Sequence, residues 1–323
     1  MANSQKTLIA LIVILVGLIT FLGGYLVTQK KNLPQSANIS SNLSRFSVSS
    51  SKNQIKKEPK LLRLSNVKAI NPILSENGKR IVYTEKGTEK IFTADFSGEN
   101  NSFLKVTEKS SLNPNISGVV LSKNQQKIAY LYFDKNTEEG QISIANPDGS
   151  VFKDILPTRA RQLKLDWVNE HKLSFYNPTG EDHSLFLLDL ENKQLEKVLD
   201  SFNGLKILWS PDGSKLIYSY KEEGGTKTAL LDLEIKTHVV VDLPTEADRC
   251  TWNLNSLFVY CGASKDGSGD NLYQIDVAKK EFGLTFQPSS ADKIKIKKPL
   301  LSPAEDYLFF VNELDGYLYR ISF

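Results

Sequence analysis

A chain of 323 residues suffices for one large domain or two ordinary ones. Its 40% hydrophobic, 10% aromatic and 24% charged residues exclude collagen-like, wholly disordered and polytopic membrane classes. Two cysteines cannot build a disulfide-dense scaffold, three histidines leave little for a metal enzyme, and +3 is too small for a dedicated nucleic-acid binder.

Residues 1–7 form a short flank containing Lys6. Residues 8–27, LIALIVILVGLITFLGGYLV, then run without a charge. At about 1.5 Å per residue such a helix reaches about 30 Å, the depth of a bilayer's hydrocarbon core. A cleaved signal peptide and a buried soluble helix are the competing readings. The run exceeds a usual signal core and no small-x-small site follows, so an uncleaved anchor is preferred.

Residues 28–60 carry seven basic side chains against Glu58, which leaves about −4 for 61–323. Rich in Ser, Asn, Gln and Lys, this stretch reads as a flexible tether. It is either a solvated spacer or a segment resting on anionic lipid or cell-wall polymer. Lys30, Lys31 and Arg45 against Lys6 favour a cytoplasmic domain by the positive-inside count. The cysteines argue for an oxidising compartment, and the extracytoplasmic placement is preferred.

From residue 61 the sequence repeats. The clearest unit is Trp209-Ser210-Pro211-Asp212-Gly213-Ser214-Lys215-Leu216-Ile217-Tyr218: a strand, a turn, and a second strand. Proline presets φ, aspartate bonds the neighbouring backbone, and glycine accepts positive φ. Related copies begin near Ser75, Ser122, Val168, Asn253 and Ser302. Four short strands at a period near 45 residues predict β-propeller blades. The fold class is therefore all-β, with six four-stranded blades over 61–323. The last unit lacks an outer strand, and residues 61–65 are expected to complete it and close the ring.

The phrase Leu/Trp-Ser-Pro-Asp-Gly-x-x-Ile/Leu-x-Tyr resembles the WD40-like repeat of TolB-type propellers. That resemblance implies a six-bladed ring of the kind found in bacterial envelope proteins and prolyl-oligopeptidase relatives. TolB-type proteins carry an α/β domain ahead of the blades; here a span and tether stand in that place.

If the first hairpin of blade five turns at Asn255-Ser256, Cys250 and Cys261 face each other, close enough to bridge. The alternative is two buried thiols acting as small hydrophobes. Trp167, Trp209 and Trp252 occupy equivalent positions, as inter-blade packing or as a ligand platform; packing is preferred. Asp266, Ser268 and Asp270 alternate as oxygens do in calcium loops, but lack the downstream glutamate of an EF-hand, so a polar loop is preferred.

The loops joining second to third strands tend to be acidic, with Glu138, Glu139, Glu181, Asp182, Glu222 and Glu223. The links between blades answer with Arg159, Arg161, Lys295 and Lys297. Both sets share one face, which reads either as solvated turns or as a docking face for a protein or cell-wall glycan. No nucleophile elbow, His-Glu-x-x-His, P-loop or dinucleotide fingerprint is present, so no catalytic residue and no cofactor are expected. The expected function is a membrane-anchored, non-enzymatic binding scaffold of the envelope. A propeller enzyme with a pore-centred site, such as a hydrolase or lyase, and a small-ligand or calcium sensor are the alternatives.

Overall fold

The computed structural model describes residues 44–45, 47–48, 60–75, 78–87, 91–95, 103–106, 115–147, 149–180, 182–264 and 267–323. The expected flank 1–7, the span 8–27 and most of the tether lie outside these. Among the described residues no helix is long and apolar enough to cross a membrane.

Three short strands come first: β1 (Ser44–Arg45), β2 (Ser47–Val48) and β3 (Lys60–Arg63). Blade one holds β4 (Ala69–Leu74), β5 (Arg80–Glu85), β6 (Ile91–Asp95) and β7 (Phe103–Val106). Blade two holds β8 (Ile116–Leu121), β9 (Ile128–Asp134), β10 (Glu139–Ala145) and β11 (Lys153–Thr158). Blade three holds β12 (Lys164–Asn169), β13 (Lys172–Tyr176), β14 (Leu185–Asp189) and β15 (Leu195–Leu199). Blade four holds β16 (Lys206–Trp209), β17 (Lys215–Glu222), β18 (Gly225–Asp232) and β19 (Thr237–Val240). Blade five holds β20 (Cys250–Trp252), β21 (Phe258–Ala263), β22 (Asn271–Asp276) and β23 (Glu281–Phe286). Blade six holds β24 (Ile296–Leu301), β25 (Tyr307–Asn312) and β26 (Leu318–Ser322), with β3 as its fourth strand.

Consecutive strands are antiparallel, so connections alternate between two faces. The second-to-third hairpins and the links between blades share one face, called upper here; the first-to-second turns share the lower face. Middle strands bury both sides, which explains unbroken apolar runs such as Leu308-Phe309-Phe310-Val311. Each buried cluster is shared by two neighbouring sheets. Blades two and three share Leu131, Ile142, Trp167 and Phe175. Blades three and four share Leu185, Leu187, Trp209 and Leu216. Similar clusters join blades four to five and five to six. Blade six meets blade one through Phe309, Leu318, Ile81 and Tyr83.

Closure comes from β3, which pairs with β26 in the register Arg63↔Tyr319 to Lys60↔Ser322. The chain then stays fastened past the strand. Leu64 N–H donates to Leu318 O at 2.7 Å, and Leu318 N–H donates to Ser65 Oγ at 2.9 Å. The segment expected as a tether supplies two more strands. β1 runs parallel to β19, and β2 runs parallel to β23. Outer edges present unpaired backbone groups, and these pairings satisfy part of two such edges.

The repeat phrase is a turn fastener. Ser210 Oγ accepts from Lys215 N–H at 2.9 Å and donates to Asp212 Oδ1 at 2.6 Å. Asp212 Oδ1 also accepts from Ser214 N–H. Burial pushes the Asp212 carboxyl up, but hydrogen bonds from Ser210, Ser214 and Ser256 outweigh it and hold it at about 2. Ser122 and Ser302 repeat the serine's role, and Asn253 replaces it with an amide oxygen. The turn's fourth residue is left-handed in five blades: Gly78, Gln125, Gly213, Ser256 and Glu305. Gly213 is the least strained solution, and a Cβ there would also lie 2.8 Å from Val168 Cγ1.

Leu64 is 2% exposed within the blade six to blade one cluster. Leu64→Ala is expected to cost about 2–4 kcal/mol, lowering Tm by about 5–10 °C. Leu62→Ala, on the 38% exposed neighbour, should shift it by about 1 °C. Equal shifts in differential scanning fluorimetry would contradict this account of closure.

Candidate binding face and channel mouth

Inner strands line the axis of the ring. Three of them carry the same irregularity: the register shifts between Ile70 and Ile73, between Ser117 and Val120, and between Lys297 and Leu300. At each bulge one residue is left-handed: Asn71, Gly118 and Lys298. Bulges re-aim side chains. Here Lys298 Nζ donates to Asn71 Oδ1 at 2.7 Å, joining blade six to blade one. Burial pushes the Lys298 ammonium below its ordinary range, aided by Lys164 and Lys297 and opposed by Asp248.

Beside this pair, a 3-10 turn over Ala247–Arg249 and the Glu246 that precedes it carry three charges into one network. Lys206 Nζ reaches Glu246 Oε2 at 2.6 Å and Asp248 Oδ2 at 2.8 Å. Burial works against the Lys206 charge, yet these two carboxylates outweigh it and raise its pKa. Arg249 Nη1 meets Asp270 Oδ2 at 3.0 Å, and Nη2 meets Glu313 Oε2 at 3.2 Å. Glu313 also takes Lys295 at 3.1 Å and Lys297 at 2.9 Å. The hydrogen bond from Lys297 holds the Glu313 carboxyl at about 2 against the cost of burial, with Lys295 adding to it. Arg249 Nε, 4.0 Å from Glu246 Oε2, joins the two groups into one chain of ion pairs over the upper ends of blades four, five and six. Within it, Asp248 Oδ1 is buried without a hydrogen-bond partner.

Deeper along the axis lie Asp166 and Lys123. Lys123 Nζ rises from the lower turn of blade two and donates to Val168 O (2.6 Å), Ser210 O (3.3 Å) and Pro211 O (2.7 Å). It thereby fastens blades two, three and four together. Burial holds the Asp166 carboxyl up at about 6, more than Lys123 and the Trp167 N–H can offset.

The expected site residues distribute as follows. Lys295 and Lys297 join the network through Glu313. Arg161 pairs with Glu138 at the upper ends of blade two. Glu139 starts β10, and Arg159, Glu222 and Glu223 are exposed in solvent. Asp182 accepts from Ser184 N–H, and the hydrogen bonding of Ser184 lowers its pKa. Glu181 and Asp266 lie outside the described residues. Asp270 is 1% exposed, and both its oxygens are engaged, by Arg249 and by the Ile296 N–H at 2.7 Å. Ser268 sits near it on the rim, also hydrogen-bonded or paired. Among the described residues, no group of His, Cys, Asp and Glu could hold a metal ion.

Cys250 and Cys261 are opposed across β20 and β21 and joined by a disulfide, with Cα atoms 4.1 Å apart. Each tryptophan indole N–H donates to the preceding blade: Trp167 to Val120 O, Trp209 to Ser174 Oγ, and Trp252 to Leu208 O. They are seam residues, as inter-blade packing requires. The three histidines stay apart, on Glu191, the Asn177 carbonyl and the Tyr218 hydroxyl.

No family model matches the chain, and none of the curated proteins matches it. Solved structures do. A gluconolactonase from Xanthomonas campestris is 14% identical with a TM-score of 0.51, covering 82% of this chain and 89% of that one. An oligogalacturonate lyase in complex with manganese is 14% identical at 0.50, covering 78% and 76%. TolB from Acinetobacter baumannii is 14% identical at 0.48, covering 77% of this chain and 65% of its own. The likeness to the first two, at such identity, establishes the all-β propeller fold and assigns no activity.

An unfolded aspartate ionises near pH 4, so the folded chain retains the Asp166 proton between about pH 4 and 6. Its contribution to stability is complete below pH 4 and is lost as pH rises through 6. Asp166→Asn is therefore expected to raise Tm by about 5 °C at pH 8 and to leave it unchanged near pH 4. The same shift at both pH values would contradict the burial argument.

Proposed function

We propose that the chain is a membrane-tethered envelope propeller that binds a protein or cell-wall glycan through its upper face, without catalysing a reaction. The observation that carries this reading is the ion-pair network from Lys206 to Lys297. Its charges of both signs are paired with one another and mounted on a closed ring, while the lysines at 295 and 297 keep about two-fifths of their side chains exposed. Charges already fixed in place lose little entropy on docking and set the orientation of a complementary partner. The buried disulfide supports an oxidising compartment.

A second reading, a pore-centred enzyme, is favoured by one observation. Asp166 holds its proton up to about pH 6, above the usual carboxylate range, and its charge is felt by Tyr176, which also senses Lys206 and Asp248. Turnover of a lactone or acidic glycan that Asp166→Asn abolishes would favour this reading.

Proximity labelling from the full-length chain in its native membrane tests the scaffold. A small reproducible set of neighbours is expected, depleted at least five-fold by the double substitution Lys295→Glu and Lys297→Glu with Tm held within about 2 °C. A neighbour list that this variant leaves unchanged would overturn the proposal for this face.

A further inference from the structure

Between blades two and three the upper face opens into a recess of about 580 Å³. This is within the usual range for small-molecule sites, and it lies between blades other than those that carry the Lys295 and Lys297 network. Its shape follows from Gly118. That residue sits at φ +63° in the bulge of β8, and a Cβ there would lie 2.8 Å from Leu163 O. The link 161–164 can therefore lie directly on the bulge. At the equivalent positions of blades one and six, the Asn71 and Lys298 side chains meet each other instead.

The floor of the recess is apolar, made by Phe133 and Leu163, each 7% exposed. Around it stand exposed cations, Lys135, Arg161 and Lys164, and the amides of Asn115 and Gln162. None of the described lining residues is acidic. Just outside the lining, Glu138 pairs with Arg161 in an exposed bridge, with side chains 67% and 71% accessible. Exposed bridges of this kind are weak. A ligand carboxylate can take the guanidinium in its place, bidentately.

We infer that this recess is a binding subsite for a short acidic saccharide, one whose rings carry carboxylates. The inference rests on the binding reading of the upper face and deepens it. The floor fits the C–H face of a pyranose ring, the amides fit its hydroxyls, and the three cations fit carboxylates on neighbouring rings. Inorganic phosphate would leave the apolar floor and most of the volume unused. Single-stranded nucleic acid would stack successive bases on several aromatic side chains, and Phe133 is the one aromatic among the described lining residues.

Isothermal titration calorimetry on the full-length chain in detergent tests this, with trimannuronate, neutral maltotriose, sodium phosphate and tetraglutamate as probes. Trimannuronate is expected to bind saturably and at least ten-fold more tightly than each of the other three. Arg161→Gln and Lys164→Gln, both on exposed side chains, should each weaken it at least five-fold with unchanged Tm. Lys295→Glu with Lys297→Glu should leave it unchanged, which separates this subsite from the protein-docking test. Absence of saturable trimannuronate binding, equal binding in the wild type and both recess variants, or tetraglutamate binding as tightly would each overturn the assignment. The last outcome would point to an acidic peptide.

Discussion

Everything built on this ring depends on four residues from its beginning pairing with four near its end. Sheets stacked face to face bury both sides of each middle strand, so the seams are the core. A linear stack would leave two such faces bare. Pairing of Lys60–Arg63 with Leu318–Ser322 lets the last seam form, between Phe309 and Leu318 on one side and Ile81 and Tyr83 on the other. With that seam made, the six inner strands are held around one axis, and the side chains at their upper ends become a fixed array.

The most conspicuous phrase in the sequence turns out to hold the lower face rather than act on anything. Its serine and aspartate satisfy the backbone of a turn, and neighbouring turns then fasten to each other. Asp212 N–H donates to Ser256 Oγ, Asn253 Nδ2 donates to Glu305 Oε1, and Asn124 Nδ2 donates to Glu170 Oε1. Lys123 adds a cation across three carbonyls. With the lower face committed to fastening, the upper face, where the links and longer hairpins lie, is free to vary.

Strand order and closure were legible because both follow from local patterns: alternation, turn chemistry, and a final unit short by one strand. The opposition of Cys250 and Cys261 was legible for the same reason, since a two-residue hairpin centre fixes the register. What stayed hidden was the channel mouth. Lys206, the Asp248-Arg249 turn and Glu313 come from different blades or links and meet only through ring geometry, which no spacing in one chain reveals. A signal for the bulges did exist. Asn71-Pro72 and Lys298-Pro299 put a proline inside an inner strand, and Gly118 puts a glycine there; both residue types mark bulges. The isolated acidic pairs in the hairpins carried less information. Glu222 and Glu223 are solvent-exposed, and Glu139 merely begins a strand. Charge on a loop is common, and only convergence with other blades gives it meaning.

The closed ring is the claim on which both the docking face and the saccharide recess rest. Native-state hydrogen exchange at the Leu62 and Leu64 amides, which face β26, and at Leu318 to Ile321 tests it most directly. Amides held by closure open only with the whole domain. Both segments are expected to exchange together, as slowly as the middle strands of blade six. Exchange of Leu62 and Leu64 within seconds while Leu308–Val311 stays protected would show an open ring and contradict the account.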